Sequence, residues 1–234
     1  MNSTVALSID NMNLSEAMGF QISPSSNQQS TLYRVKPTII QEINKETKKI
    51  VSSPVFQVKR DEEEEVYCRE MLVRLFVERH RWEKWDSAAN TTQRTVMAIN
   101  LKSDLKDSLG TFNLNRGAFV KDFKALPEER KEFIRSIKSC KVMMGMALLS
   151  EPFYEGGEPA TGFDGEIPFI MDVRNRDSKN NIQYSVDKLM RKSITPAEHT
   201  IALTGEARSM PNGKYIVINS SLGDLVGFSD GDND

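Results

Sequence analysis

The sequence predicts a mainly β, α+β fold, and three observations carry that expectation. Short apolar runs alternate with charged turns over most of residues 32–222 (YRVKPTIIQEI, KKIVSS, PVFQVK, IPFIMDV, HTIALTGEA, KYIVIN); this is strand patterning, without the three- and four-residue spacing of helices. Residues 142–149 form a continuous apolar run with the length of a buried central strand. Helical spacing with matching ends follows Pro127 and again follows Ser178 or Asn180.

The stretch 112–150 organises the rest. Pro127 suits the first turn of a helix, and Glu128 and Glu129 place negative charge at the positive end of its dipole. Phe133, Ile134, Ile137 and the stem of Lys141 then share one face, while Arg130, Lys131, Arg135 and Lys138 stay in water. That helix feeds the strand over 142–149.

In chain order, residues 1–31 are rich in Ser, Asn and Gln and read as a mobile arm that either has no function or docks on a neighbouring copy. Residues 32–222 form one β-rich domain, opening with the meander around turn 44–47, where Pro37 and Pro54 belong at strand starts or edges. Residues 66–77, VYCREMLVRLFV, are assigned to a long strand with Met71, Val73, Leu75 and Val77 on one face, although Asp61 and four glutamates would also start a helix. Residues 93–101 read as another strand and 102–109 as a short helical turn or loop. The Gly- and Pro-rich EPFYEGGEPATGFDGE is a long loop. A helix with Ile182, Val186, Leu189 and Met190 on one side ends at Thr195-Pro196, and Pro211-Asn212-Gly213 turns a terminal hairpin. Met143, Met144 and Met146 fill core gaps.

Bulk charge narrows the function. Thirty-one Lys and Arg against thirty-three Asp and Glu give −2, which argues against coating nucleic acid by net positive charge. Placement matters more. Residues 223–234, GDLVGFSDGDND, hold four aspartates and no base, so the remainder carries +2. Two cysteines and two histidines make no spaced zinc site, which leaves no metal or cofactor expected and points to a reducing, cytoplasmic compartment. No apolar run reaches membrane-spanning length.

Two stretches interleave cations with rings. The first runs through Arg74, Arg79, Arg81, Trp82, Lys84 and Trp85, and the second through Arg116, Phe119, Lys121 and Phe123. Single strands are held by cations that displace phosphate counterions and by flat rings on which bases stack, and both stretches supply the two together. The alternative for Trp82, Trp85, Phe119 and Phe123 is burial in the core. The acidic end, with Asp224, Asp230, Asp232 and Asp234, is a mobile polyanion suited to the protein's own cationic groove or to partner proteins.

This layout, over 32–234, resembles the single-stranded-DNA-binding proteins of bacteriophages. The resemblance implies an OB-like barrel with a central helix, a role in phage replication or recombination, and a tail (Asp224, Phe228, Asp230, Asp232, Asp234) that competes with DNA and recruits replication proteins. Phe228 lies six residues from the end, where many such tails finish on an aromatic residue. The alternative function is a self-associating phage structural or assembly protein. An enzyme is not expected: Glu155, Glu158, Asp164, Glu166, Asp172 and Asp177 cluster in sequence as Mg²⁺ ligands might, but most lie in a Gly/Pro loop, and no phosphate-cradling or nucleophile-turn motif is present.

Overall fold

The structure is a computed structural model and describes residues 31–43, 49–101, 122–211 and 213–225. The expected arm over 1–30, the turn over 44–47 and the segment 102–109 lie outside these residues. In chain order the described elements are β1 (Tyr33–Ile43), β2 (Ile50–Lys59), β3 (Val66–Cys68), β4 (Glu70–Asp86), β5 (Thr91–Arg94), α1 (Glu128–Ser136), β6 (Lys138–Ser150), β7 (Phe153–Tyr154), β8 (Ile167–Val173), α2 (Arg176–Met190), β9 (His199–Met210) and β10 (Gly213–Leu225). The chain divides into two compact units, one built on Glu78–Val142 and the other on Leu32–Val77 with Met143–Asp234.

In the larger unit nine strands follow the order β10-β9-β4-β6-β8-β1-β2-β3-β7. The sheet is mixed, with β1 antiparallel to β2 and parallel to β8. It is also open. Among the described residues no ladder joins β10 to β7, so the closed barrel expected from the sequence does not form. Alternation decides burial: Ile167, Phe169, Met171 and Val173 of β8 point into the core with Met71, Val73 and Leu75 of β4 and Met143 of β6. Met144 is buried as well.

Helix α2 meets the outer edge of β10. Its N-cap is Asn175, whose side chain accepts from the Ser178 amide at 3.0 Å, so the helix starts before the expected Ser178 or Asn180. Ser178 is instead buried, where its Oγ accepts from Ile218 N–H at 2.8 Å. Asn181 Nδ2 donates to the Ile218 carbonyl at 3.0 Å, and the Ser185 and Ser220 hydroxyls bond at 2.7 Å. Helix side chains therefore satisfy edge groups that another strand would otherwise pair. Ile182 and Leu189 enter the core, whereas Met190, expected beside them, is 58% exposed.

Other elements depart from expectation in instructive ways. The stretch 66–77 is extended, but exposed Arg69 splits it between β3, which pairs with β2, and β4, which pairs with β9 and runs on to Asp86. From Ile50 on, the two pieces KKIVSS and PVFQVK make one strand, β2, with Pro54 inside it. Pro37 follows Val35, the last β1 residue paired with β8, and Pro54 precedes Phe56, the first β2 residue paired with β3. Each proline thus sits where its strand has one ladder, so its missing N–H costs no bond. The first helix ends at Ser136, because Ile137 turns extended (φ −80°, ψ 124°), and Lys141 lies in β6, where the helical spacing had placed it on α1. Of residues 93–101, Gln93 and Arg94 end β5, Thr95 N–H donates to the Trp82 carbonyl at 3.0 Å, and Ala98 bridges to His80.

Strands β4 and β6 meet closely at Gly145, where an added Cβ would lie 1.8 Å from the Arg74 carbonyl oxygen. That atom is backbone and has no rotamer to yield. Gly145→Ala is expected to lower stability by about 3 kcal/mol, read from the denaturant midpoint; an unchanged midpoint would contradict the close packing.

Candidate nucleic-acid interface

The smaller unit is where the basic and aromatic residues collect. Segment 78–142 holds fourteen Lys and Arg against nine Asp and Glu, a net +5 inside a chain of −2. Its β4 residues turn back into β5 through exposed 87–90, with Asp86 Oδ1 accepting the Ala88 and Ala89 amides at 3.0 and 3.2 Å and Oδ2 accepting from Gln93 at 2.7 Å. The ladder then sets Glu83 opposite Arg94, Lys84 opposite Gln93 and Trp85 opposite Thr92.

Strand alternation separates two tryptophans that are three residues apart. Trp82 is 5% exposed and packs with Ile137, Phe133, Val96, Ala98 and Leu101. Its ring is closed to a base, so the stacking role expected of Trp82 is corrected to a core role. Trp85 is 57% exposed beside the turn. Arg81 is corrected likewise: it is buried, with Nε 3.0 Å from Oε1 of buried Glu83. Arg94 Nε reaches the same oxygen at 3.4 Å from a half-exposed position.

Lys84 lies on the Trp82 side of the strand, with Nζ 4.9 Å from the Phe133 ring centroid. Arg130, one helical turn before Phe133, places its guanidinium carbon 5.1 Å from the same centroid, and Arg135 approaches Phe123 at 5.6 Å. Cations held over rings in this way are oriented rather than freely mobile. Arg79 is half-buried and donates to the Glu78 carbonyl at 2.8 Å.

The remaining expected site residues lie elsewhere. Arg74 belongs to the larger unit and is engaged there, donating through Nε at 2.7 Å and through Nη2 to the two carboxylate oxygens of Glu166. Arg116, Phe119 and Lys121 are outside the described residues, as are Phe228, Asp230, Asp232 and Asp234. Asp224 lies within β10, which continues past the expected boundary at 222. Arg94 and Arg130 were not singled out by the sequence reading. The turn after Asp86, which folds Arg94 back to Glu83, and the three-residue step from Arg130 to Phe133 were the available signals.

The acidic loop does not gather. Glu166 pairs with Arg74, Asp172 with Arg174 at 3.1 Å and Asp177 with Arg208 at 3.3 Å, and no three of the six carboxylates named above converge among the described residues. Both cysteines are buried free thiols, and burial pushes Cys68 up to about 12, where it is a poor nucleophile at neutral pH.

The base of this unit is pinned by a buried lysine. Lys141 is 4% exposed, and its Nζ lies 2.9 Å from Glu78 Oε1, with His80 Nε2 at 3.2 Å from the same oxygen. Burial raises the Glu78 pKa, but hydrogen bonds from His80 and Lys141 outweigh it and hold the carboxyl below its usual range. A depressed carboxyl stabilises the fold above its unfolded pKa, near 4.3, and this contribution is lost as pH falls through the folded value. Glu78→Gln is therefore expected to destabilise by on the order of 2 kcal/mol at neutral pH, with the gap to the parent chain closing below about pH 4. Denaturant midpoints at pH 7 and pH 3.5 check this, and a gap that widens in acid would contradict it.

No family model, curated protein or solved structure matches the chain.

Proposed function

We propose that this protein binds single-stranded DNA without reading its bases, in phage replication or recombination, and that the β4–β5 turn and helix α1 of the smaller unit form the contact. The observation that carries the reading is the exposed Trp85, on the strand face it shares with Arg94, in a segment with five excess positive charges. Such a surface meets the two requirements of sequence-tolerant binding, cations for phosphates and a flat ring for a base. Arg130 and Arg135 on α1 add cations beside Phe133 and Phe123.

The relation to OB-type phage binders belongs to this proposal. What supports it is the β-rich sheet, even though the edge of β10 is met by α2 where a barrel would close. In the same reading the acidic end competes with DNA and engages replication proteins, and the protein works in the cytoplasm, that of the host for a viral protein. No helix among the described residues is long and apolar enough to cross a membrane.

The test is anisotropy of a labelled oligo-dT strand across salt. Contacts from Lys84, Arg94, Arg130 and Arg135 to four phosphates contribute about −3 to the slope of log affinity on log salt, at roughly −0.7 per phosphate. Trp85→Ala is expected to weaken binding by about 1–3 kcal/mol, while Trp82→Ala lowers stability by about 3–5 kcal/mol. An absence of binding well above the micromolar range of non-specific affinities, or full affinity in Trp85→Ala, would overturn the proposal.

A further inference from the structure

Helix α2 carries a second cationic and aromatic surface, in the larger unit. Residues Arg176, Asn180, Tyr184 and Lys188 follow at four-residue spacing, so they line one face. All four are exposed, and Tyr184 is 66% accessible. Arg191 continues the row at the helix end, with exposed Lys192 beside it. The row is about 22 Å long at 1.5 Å per residue.

The charges on this face are unequally engaged. Its two carboxylates are occupied, Asp177 by Arg208 at 3.3 Å and Asp187 by the Gln183 amide at 2.8 Å. Arg176, Lys188, Arg191 and Lys192 have no carboxylate within ion-pair distance among the described residues. The helix dipole accounts for cations in the last turn, where they are favourable, but not for Arg176 in the first turn, where a positive charge opposes it. Nor does packing require Tyr184, since Ile182, Ser185 and Leu189 on the opposite side make the buried contacts.

We infer that this face of α2 is a second contact for single-stranded nucleic acid, with Arg176, Lys188, Arg191 and Lys192 on phosphates and Tyr184 under a base. The inference rests on the single-strand reading above and extends it to a protein whose two units each contribute a contact. Charge complementarity selects the occupant: unpaired cations at both ends of an exposed ring match a strand that alternates phosphates with flat bases. The chain's own acidic end is the competing occupant.

Two variants of the full chain test this by oligo-dT anisotropy across salt, beside Trp85→Ala and the parent. In Lys188→Gln/Arg191→Gln/Lys192→Gln the salt slope is expected to become shallower by about 2, from three lost phosphates at roughly 0.7 each. In Tyr184→Ala affinity is expected to fall roughly 5- to 150-fold. Both substitutions are on the surface, and an unchanged thermal transition confirms that folding is not the cause. If the parent binds and Trp85→Ala weakens it while both α2 variants behave as the parent does, the α2 inference is overturned and the first reading stands. Loss in the α2 variants alone would keep the inference and move the contact away from Trp85. Absence of binding by the parent overturns both. Tighter binding by the triple variant, abolished on truncation after Leu225, would assign the face to the acidic end instead and overturn the nucleic-acid contact.

Discussion

The larger unit depends on residue 145 having no side chain. Strand β6 comes so near the backbone of β4 that a methyl group there would overlap the Arg74 carbonyl, and these two strands are the third and fourth of the nine in the sheet order. With them in place, Met71, Val73 and Leu75 alternate into the same core as Met143, Phe169 and Met171. A core of this kind derives its stability from burial, at roughly 25 cal/mol per Å² of apolar surface. It tolerates little change in backbone separation, because interiors are packed to crystal density.

The edges of that sheet are managed by side chains. Ser178 and Asn181 bind both polar backbone groups of Ile218, and Ser185 meets Ser220, so α2 stands in for the strand that would complete a barrel. The cost is a set of buried hydroxyls that must all stay paired. The benefit is a β10 edge with fewer groups free to recruit a foreign strand. The outward face of the helix is then released from structural duty, and it carries Tyr184 and its cations.

Much of this was legible in the residues, and the failures share a cause. Strands β1, β8 and the β9–β10 hairpin follow their alternation and turn chemistry closely, since Pro211-Asn212-Gly213 leaves the chain little choice. The mainly β fold class follows from the same patterning. The boundary between α1 and β6 was misread because Lys141 fell by chance on the helical spacing, while an ion pair to Glu78 holds it in a strand. That the sheet stays open was not legible either, because hydroxyl and amide side chains on a helix give no sign in sequence that they will bond a strand edge. Likewise, Trp82 and Trp85 sit in identical company in sequence. Only the register of β4 against β5, and the packing of Ile137 and Phe133 on one side, distinguish the buried ring from the exposed one.

That distinction gives the most direct test, because Trp82 and Trp85 are the two tryptophans of the chain. In a Trp82→Phe variant, Trp85 becomes the sole indole, and its fluorescence reports the proposed contact alone. Titration with oligo-dT is predicted to quench that emission and to shield it from acrylamide, with both effects reversed by salt. An indole that remains fully accessible to acrylamide while a labelled strand is bound would contradict the account.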